Sequence, residues 1–324
     1  MKVGIVGAGI AGLACANLLR IKGIDVTLFD KGRKPGGRTS TLELSDMAWD
    51  FGAPCLTAVG ADFQEQVSAW ARAGLLAPWP GGPAGALVGV PSMSMLVEHQ
   101  RLSHDARFGA LVQKIETDGA SWYVAGPSLY DGPFAAIAIA TPAEQAVPLL
   151  APHDPGMAYE PAMARSRPCW TLMAAFSEPL AGLPDFLPED GDIALAARNN
   201  SKPGRGPAEC WVVQASTDWS ARHLHRTGAA VAMDLFLLFE KMAGARLPHP
   251  SFLKAHRWRY AHGNGRRCQN LWNPELRLGA CGDWCSGSQI EDAWRSGRHL
   301  AEKIAGHLIG PAGRGGVAAA QMTA

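Results

Sequence analysis

Three glycines near the start of the chain, Gly7, Gly9 and Gly12, have the spacing of a loop that binds phosphate groups. They follow an apolar run over residues 3–6 and precede a helical pattern over residues 13–21. In that context glycines permit a tight turn, close approach of the backbone to a pyrophosphate and close packing of the helix on the strand. The helix N-terminus adds free N–H groups and a partial positive charge. The spacing therefore predicts a strand, loop and helix that bind the phosphates of a dinucleotide.

An acidic residue ends the next predicted strand. Apolar residues 26–29 lead directly to Asp30. In a strand–helix–strand unit, a carboxylate at this position accepts hydrogen bonds from a ribose 2′-hydroxyl and disfavours a 2′-phosphate. We expect Asp30 to bind the adenosine ribose of the dinucleotide.

The size and composition are those of a globular protein with more than one domain. The chain has 324 residues, of which 47% are apolar and 18% charged; this length permits two domains, each with its own core. The formal net charge of +1 gives no indication of nucleic acid or an anionic membrane as a partner. No uninterrupted apolar run approaches the roughly 18 residues of a membrane-spanning helix.

The cysteines and histidines show no pattern of a disulfide framework or a metal site. The seven cysteines are scattered, and none belongs to a C-x-x-C pair. Reduced thiols in a cytoplasmic protein fit this usage better than disulfides do. His223 and His225 have no cysteine or carboxylate partners at ligand spacing, so we expect no bound metal.

The middle of the chain differs from its two ends. Runs rich in tryptophan predict strands over residues 169–176, 193–198, 209–215 and 252–260, and an amphipathic run predicts a helix over 228–242. Strands joined by turns, with a single helix, favour a mainly antiparallel sheet. Before this region, residues 107–115 are predicted to form one strand.

These patterns predict an α/β fold with a discontinuous Rossmann-type dinucleotide-binding domain and an inserted, mainly antiparallel α+β substrate domain. The first domain is assigned residues 1–75, 96–150 and 270–310, and the second residues 76–95 and 151–269. Residues 311–324 are predicted to be a flexible tail. Catalytic pockets commonly lie between two such domains.

The run from Asp30 to Arg38 contains a second motif, Gly36-Gly37-Arg38. Together with the glycine loop it resembles the FAD fingerprint of the flavin amine oxidase superfamily, which NAD dehydrogenases normally lack. The loop would fold back over the pyrophosphate, where Arg38 adds a charge-assisted contact. The resemblance implies non-covalently bound FAD and the two-domain fold of p-hydroxybenzoate hydroxylase and the amine oxidases.

Two later segments agree with that superfamily. Ala140-Thr141-Pro142 resembles the turn that borders the adenosine side of FAD, and Gly282-Asp283-Trp284 resembles the C-terminal flavin motif, in which the acid binds the ribityl or pyrophosphate region. The helix beginning near Gln289 would direct its positive end at the N1/C2 side of the flavin ring. The residues expected to contact FAD are Gly7, Gly9, Ile10, Ala11, Gly12, Asp30, Lys31, Gly36, Gly37, Arg38, Gly52, Ala53, Val112, Thr141, Pro142, Gly282, Asp283, Gln289, Ile290 and Glu291.

The middle domain narrows the resemblance to bacterial renalase-like proteins. Residues 195–203 look like their Ala-Arg-Asn-x-Ser-Lys-Pro segment, and residues 211–220 like their Trp-x-x-x-x-Ala-Thr-x-x-Trp-Ser pattern. The likeness runs in order from residue 1 to about residue 309. One segment departs from it, because Pro54-Cys55-Leu56 stands where the family usually has Gln-Tyr-Phe or Gln-Tyr-Ile. This change puts the family's usual substrate in doubt.

The renalase-like resemblance implies an oxidase for a small-molecule substrate. Such enzymes take a hydride onto flavin N5 from 2- or 6-dihydro isomers of NAD(P) and pass the electrons to molecular oxygen, giving hydrogen peroxide. The pocket candidates are Asn199, His256, Trp258 and Tyr260, followed by Arg198 and Arg257.

Two other functions stay open at this point: an oxidase of a small amine or secondary metabolite, and a non-catalytic FAD-binding sensor or scaffold protein. Each pocket candidate also has a purely structural interpretation, with the aromatic rings in the core, His256 as a hydrogen-bonded histidine and Arg257 on a solvated strand face. The sequence does not distinguish a monomer from a dimer.

Overall fold

The computed structural model describes residues 1–310, so the predicted tail at 311–324 lies outside the described residues. The helices are α1 (Ile10–Ile21), α2 (Ala61–Arg72), α3 (Met95–Arg101), α4 (Ala143–Leu150), α5 (Pro155–Met163), α6 (Thr217–Arg222), α7 (Gly228–Ala243) and α8 (Ile290–Ile309). The strands are β1 (Lys2–Val6), β2 (Asp25–Asp30), β3 (Thr41–Leu44), β4 (Met47–Asp50), β5 (Leu76–Pro78), β6 (Leu87–Gly89), β7 (Asp105–Phe108), β8 (Lys114–Thr117), β9 (Trp122–Gly126), β10 (Leu129–Phe134), β11 (Ala136–Ile139), β12 (Arg167–Phe176), β13 (Phe186–Leu187), β14 (Ile193–Arg198), β15 (Glu209–Ala215), β16 (Phe252–His262), β17 (Leu271–Asn273) and β18 (Leu278–Ala280).

The chain divides into two compact units, each assembled from separate stretches of sequence. Among the described residues, the first unit comprises 1–37, 97–165 and 263–310, and the second comprises 38–96 and 166–262. We predicted residues 151–165 and 263–269 in the second domain, whereas the structure groups them with the first unit. We also predicted that residues 38–75 belong with the first stretch, whereas the structure groups them with the second unit. The reason is packing: Trp49 of β4 is fully buried beside Met173 and Val212 and donates its Nε1–H to the Ala174 carbonyl at 2.8 Å.

The first unit contains a six-stranded sheet in the order β17-β18-β11-β1-β2-β7. Strands β18, β11, β1, β2 and β7 are parallel, and only β17, at one edge of this sheet, is antiparallel to its neighbour. Strand β11 is buried along its whole length, as is typical of a parallel strand covered on both faces. Helices α1 and α8 pack so closely that a Cβ on Gly297 would lie 2.1 Å from the carbonyl oxygen of Ala11.

Residues 107–115 do not form the single strand that we predicted. Strand β7 ends at Phe108 in the parallel sheet, and β8 begins at Lys114 in a separate antiparallel sheet of order β10-β9-β8. The chain turns at Gly109, whose φ of 68° is accessible to glycine at little cost. The Gly109 N–H donates to the Gly32 carbonyl at 2.8 Å, which fixes this turn beside the end of β2.

The second unit contains a five-stranded antiparallel sheet in the order β13-β14-β15-β12-β16. Helix α7 begins at the Thr227 cap, ends at Gly244 in the left-handed conformation, and buries Leu235 and Phe239 against Trp211 of β15. Hairpins β3–β4 and β5–β6 complete this unit. The predicted combination of a parallel Rossmann-type sheet and a separate antiparallel sheet is confirmed. No helix within residues 1–310 is both long and apolar enough to cross a membrane.

Candidate functional site

The carboxyl ends of four adjacent parallel strands carry most of the predicted FAD-binding residues. The strands lie in the order β18-β11-β1-β2. The Gly282-Asp283 turn follows β18, and Thr141-Pro142 follows β11. The glycine loop follows β1, and the loop beyond Asp30 follows β2. Because the strands are parallel, the four segments lie along one edge of the sheet. Open parallel sheets bind ligands beyond this edge.

The three glycines of the first loop have different structural roles. Gly7 has a φ of 107°, and a Cβ there would lie 2.4 Å from the Ala140 carbonyl oxygen. A Cβ on Gly12 would lie 1.9 Å from the Gly7 carbonyl oxygen. A Cβ on Gly9, by contrast, would have no described atom within 4 Å, and its φ of −83° suits any residue. The fold thus accounts for Gly7 and Gly12, whereas Gly9 faces open space at the start of α1, whose first residues are Ile10 and Ala11.

Asp30 connects the two loops on either side of it. Its Oδ2 accepts a hydrogen bond from the Ala8 N–H at 2.8 Å, and its Oδ1 accepts one from the Gly32 N–H at 2.7 Å. An ionised carboxylate has about four acceptor positions, so two internal donors do not exhaust it. Gly37 has a φ of 53°, and its Cβ position lies 3.7 Å from the Gly9 Cα, so the Gly36-Gly37 loop returns to the glycine loop.

Two other predicted cofactor residues beside β2 differ in burial. Lys31 is exposed. Val112 is buried in the core of the first unit, and the neighbouring Ala110 N–H donates to the Asp30 carbonyl at 2.9 Å. Core packing accounts for the Val112 side chain.

The Thr141 and Gly282-Asp283 segments are joined to one another. The Trp284 Nε1–H donates to the Thr141 carbonyl at 3.2 Å, and the Gly282 N–H donates to the Ser296 hydroxyl at 3.0 Å. Asp283 is buried. The Thr141 hydroxyl oxygen is also buried and has no hydrogen-bond partner within residues 1–310. A buried hydroxyl at this edge is therefore available to a ligand.

The N-terminus of α8 is partly neutralised by its own side chains. The Gln289 N–H donates to the Asp292 carboxylate at 2.9 Å, and the Gln289 side chain accepts from the Asp292 N–H, so the two form a capping box. Glu291 is buried and forms an ion pair with Arg295 at 2.9 Å. Ile290, the first residue of α8, is half-buried. Two carboxylates in the first turn reduce the positive potential that we expected this helix to direct at a flavin.

Three predicted FAD residues lie together in the second unit. The Ala53 N–H donates to the Arg38 carbonyl at 2.8 Å, and a Cβ on Gly52 would lie 2.0 Å from that same carbonyl oxygen. Gln214 Nε2 donates to the Gly52 carbonyl at 2.6 Å. Arg38 Nη1 donates to the Ala261 carbonyl at 3.0 Å, beside the end of β16.

His256 and Trp258 of strand β16 form an aromatic cluster with Phe51, which follows β4. The rings of Phe51 and Trp258 are stacked with centroids 5.2 Å apart, and His256 meets both rings edge-on. The Trp258 Nε1–H donates to the Phe51 carbonyl at 2.8 Å. Burial lowers the pKa of His256, and the cations Lys254 and Arg257 lower it further, so the imidazole is neutral at pH 7. Tyr260 is half-buried and lies where the register of β16 against β12 shifts, between Trp258 and His262.

The two arginines proposed as secondary pocket residues bind protein groups. Arg257 donates to the Leu224 carbonyl and lies over the Trp170 ring at 5.5 Å. Arg198 Nη2 donates to the carbonyls of residues 180 and 183, both at 2.9 Å, and its guanidinium lies over the Trp211 ring at 5.0 Å. Packing within the second unit accounts for both side chains.

Asn199 does not lie at a surface at all. Its side chain is fully buried, and its Nδ2 donates to the Ala48 carbonyl at 2.8 Å. Its Oδ1 accepts from Lys202 Nζ at 2.8 Å and from the Asp50 N–H at 3.3 Å. The expectation that Asn199 lines a substrate pocket does not agree with this position, because its hydrogen-bonding groups are used within the unit.

Asn199 belongs to a buried polar cluster that the sequence did not reveal. Asp50 Oδ2 lies 2.9 Å from Lys202 Nζ and 2.6 Å from Arg205 Nη2, and all three side chains are buried. Asp50 Oδ1 accepts from the Thr41 hydroxyl at 2.7 Å and from the Met93 N–H at 3.0 Å. Burial raises the pKa of Asp50, but the two cations and these hydrogen bonds outweigh it and bring the pKa to about 2. One carboxylate thus faces two cations, and burial lowers the pKa of Lys202.

Two residues of this cluster lie in motifs that the sequence contains, but the spacing of these motifs does not show that the two residues meet. Asp50 opens the segment in which the family pattern changes, and Lys202 lies in the Ser-Lys-Pro segment. The two residues are 152 positions apart, so only the fold shows that they form an ion pair. Within residues 1–310, no three histidine, cysteine or acidic side chains converge as metal ligands would.

Comparisons with known proteins identify the start of the chain and its overall architecture. Residues 5–72 match the family model of NAD(P)-binding Rossmann-like domains. The zeta-carotene-forming phytoene desaturase of Myxococcus xanthus is 38% identical over 71 residues, which are 22% of this chain and 14% of the desaturase. The mitochondrial protoporphyrinogen oxidase of Nicotiana tabacum is 39% identical over 56 residues, which are 17% of this chain and 11% of the oxidase. The matched segments therefore span only a small part of these curated relatives.

Similarity to a solved structure extends over nearly the whole chain. Cyclohexylamine oxidase from Brevibacterium oxydans IH-35A superimposes with a TM-score of 0.73, covering 95% of this chain and 99% of the oxidase, at 16% sequence identity. At that identity the likeness concerns the fold. The chain has the amine-oxidase-like architecture that the sequence predicts.

Proposed function

We propose that this protein is an FAD-dependent oxidoreductase of the flavin amine oxidase type. The observation that carries the proposal is the convergence of the glycine loop, Asp30, Thr141 and Gly282-Asp283 at one edge of the parallel sheet. Open space at Gly9 and the unpartnered Thr141 hydroxyl fit a dinucleotide at this edge, because both leave room or bonding capacity that the fold itself does not use.

The proposed roles follow from the donors and acceptors available. The backbone N–H groups after Gly9 bind the pyrophosphate, and the remaining acceptor positions of Asp30 bind the adenosine ribose. Thr141 binds a hydroxyl or phosphate group of the cofactor, and Asp283 accepts hydrogen bonds from its hydroxyl groups. Arg38 is kept as a predicted contact to the pyrophosphate. Bound FAD would supply the hydride-accepting chemistry, while the protein supplies position and electrostatics.

The names of the related proteins support a redox function. A desaturase and a protoporphyrinogen oxidase match short segments of the chain, and an amine oxidase shares the fold. The seven cysteines are all free thiols, which fits the cytoplasmic location that we propose.

For the substrate, we propose a dihydronicotinamide isomer of NAD(P), oxidised with the reduction of oxygen to hydrogen peroxide. The renalase-like segments at residues 195–203 and 211–220 support this choice. The aromatic cluster of Phe51, His256 and Trp258 supports it as well, because stacked rings and a neutral imidazole suit a flat, uncharged dihydropyridine ring.

A small amine is the second candidate substrate. The fold likeness to cyclohexylamine oxidase favours it, and so does Pro54-Cys55-Leu56, which lacks the amide and phenol of the renalase-like pattern. An amine must be neutral to deliver a hydride equivalent, and an aromatic slot beside a neutral histidine would favour its uncharged form.

Anaerobic mixing of the FAD-loaded protein with candidate donors separates these functions. Bleaching of the flavin absorbance by 6-dihydro-NAD(P) supports the first substrate, and bleaching by amines alone supports the second. An intact flavin spectrum with every donor indicates a non-catalytic FAD protein. A colourless protein that cannot be reconstituted with FAD contradicts the whole proposal.

A pair of tryptophan variants tests the aromatic cluster in the same experiment. We expect Trp258→Leu to lower the rate constant of flavin reduction about tenfold while retaining FAD, since it removes a stacking partner. Trp272→Leu is the matched control, because Trp272 lies on the edge strand β17 of the first unit. Equal rate constants for both variants would remove the cluster from the proposed pocket.

A further inference from the structure

Two cysteines of the first unit lie against each other beside the proposed flavin motif. Cys285 is fully buried in the short 3-10 turn Asp283–Cys285, and Cys268 is half-buried in the loop before β17. The Cys268 N–H donates to the Cys285 carbonyl at 3.0 Å, and the two thiols share a hydrogen bond. Covalent bond lengths limit the Cα–Cα separation across one such hydrogen bond to at most about 7 Å, and a disulfide spans about 4.4–6.8 Å. The two backbones are therefore close enough for a disulfide to join these residues.

The surroundings distinguish the two thiols. The hydrogen bond from Cys285 lowers the pKa of Cys268, and the charge of Arg266 adds to this effect, against opposing contributions from burial and Glu160. Burial raises the pKa of the Cys285 thiol. Arg266 is held in place by two contacts. Its side-chain Nε lies 3.2 Å from the Glu160 carboxylate, and its backbone N–H donates to the Cys285 carbonyl at 3.1 Å. Of the two thiols, Cys268 therefore loses its proton more readily, and the Cys285 thiol lies next to it.

The other cysteines are poor competitors for oxidation. Burial raises the pKa of each of them, and the free thiol form is inert toward peroxide. The group comprises Cys15, Cys55, Cys169, Cys210 and Cys281.

A hydrogen-bonded serine connects the thiol pair to the glycine of the flavin motif. Ser296 on α8 shares a hydrogen bond with the Cys285 sulfur, and its hydroxyl accepts the Gly282 N–H at 3.0 Å. A disulfide requires the sulfurs to approach to about 2.05 Å, which draws Cys285 toward Cys268 and away from Ser296. Formation of the disulfide would therefore displace Gly282 and Asp283.

We propose that Cys268 and Cys285 form a peroxide-sensitive dithiol that closes reversibly to a disulfide and thereby weakens cofactor binding at the Gly282-Asp283 turn. In the first step the Cys268 thiolate attacks hydrogen peroxide, the O–O bond breaks, and the departing hydroxide takes a proton to form water. In the second step the Cys285 sulfur attacks the resulting sulfenic acid, loses its proton, and displaces the second water as the S–S bond forms. Two thiols are oxidised and one peroxide is reduced to two waters. The effect on the cofactor rests on the proposed FAD function; the disulfide itself does not.

Peroxide treatment followed by mapping of the cysteines tests the disulfide without any flavin chemistry. The purified protein is treated with hydrogen peroxide, its free thiols are alkylated, and its peptides are analysed by mass spectrometry with and without prior reduction. We expect a Cys268–Cys285 linkage that dithiothreitol reverses, no linkage in Cys268→Ser, and an unchanged linkage in the control Cys55→Ser. Full alkylation of Cys268 and Cys285 after peroxide, or irreversible oxidation of Cys268 without linkage, would overturn the proposal.

Titration with FAD tests the effect on the cofactor. We expect the disulfide form to bind FAD about fivefold more weakly than the reduced form, the factor that corresponds to one lost hydrogen bond. In Cys268→Ser, peroxide should leave the FAD affinity unchanged. Equal affinity of the mapped disulfide form and the reduced wild-type protein would refute the coupling. A failure of FAD to bind in either state would instead count against the proposed function.

Discussion

The sheet edge of the first unit and the buried polar cluster of the second unit both consist of motif residues, yet they differ in what they leave unsatisfied. At the sheet edge, Gly9 faces open space and the Thr141 hydroxyl has no partner within the described chain. In the cluster, Asp50, Lys202 and Asn199 bind one another at hydrogen-bond distance. The cluster, too, has a buried atom without a hydrogen-bond partner within residues 1–310, Arg205 Nε. Open space next to unused bonding capacity, more than membership of a motif, therefore distinguishes the proposed binding edge from a structural support.

The largest expected effect concerns the cluster. We expect Asp50→Asn to lower the free energy of unfolding by about 3–5 kcal/mol, because it leaves the buried Lys202 and Arg205 without their counter-charge. Asp192→Asn is the control, since the Asp192–Arg222 pair is exposed and such pairs contribute about 0–1 kcal/mol. Urea unfolding measures both, and similar losses for the two variants would mean that the cluster is not a structural support.

The next effect concerns the packing beneath the sheet edge. Gly297→Ala should cost up to about 3 kcal/mol, because its Cβ would lie 2.1 Å from the Ala11 carbonyl oxygen and backbone cannot yield cheaply. Thermal unfolding detects this loss. An unchanged melting temperature would show that α1 and α8 leave room for a methyl group at this crossing.

Acid should weaken the cluster in a defined pH window. The pKa of Asp50 is about 2 in the folded protein against an ordinary value of 3.8, so its ionisation stabilises the fold fully above pH 3.8. This contribution, about 2 kcal/mol, is lost as the pH falls from 3.8 through 2. Urea unfolding from pH 5 to pH 2 should show the loss in wild type and a shallower slope in Asp50→Asn. Identical slopes in the two proteins would contradict this role of Asp50.

The smallest effect has the opposite sign. Gly306→Ala lies on the same helix as Gly297 but would place its Cβ where no neighbouring atom lies within 4 Å. Alanine favours a helix over glycine by about 0.8–1 kcal/mol, so this variant should gain up to that amount in thermal unfolding. A loss of stability would mean that the Gly306 position of α8 is in contact with another part of the protein.

The sequence predicted the strand–helix–strand unit at the sheet edge because its constraints are local. Gly7, Gly9, Gly12 and Asp30 lie within one strand–helix–strand unit, and each has a position-specific reason to be that residue type. The boundary at residue 37 could not be predicted in the same way. It depends on Trp49 packing against β12 and β15, contacts between residues that are distant in sequence.

The substrate side of the prediction depended on resemblance and was less specific. Asn199 lies in a segment that looked like a pocket motif, but its amide is used by Ala48, Asp50 and Lys202. A motif residue of this kind can be retained for a buried hydrogen-bond network or for ligand contact, and sequence spacing is the same in both cases. His256 and Trp258 alternate along a strand as predicted, and their facing partner Phe51 was found only through the fold.

The most direct test of the proposed cofactor site is the FAD affinity of Gly9→Ala. This variant adds one methyl group where no protein atom lies within 4 Å and where the backbone φ of −83° suits alanine, so its melting temperature without FAD should match that of wild type. We predict that FAD binds Gly9→Ala at least about tenfold more weakly, because the methyl group occupies the space that the pyrophosphate needs. Gly306→Ala, titrated in parallel, should bind FAD as wild type does. Unchanged FAD affinity in a stably folded Gly9→Ala protein would show that the cofactor does not bind at this edge of the sheet.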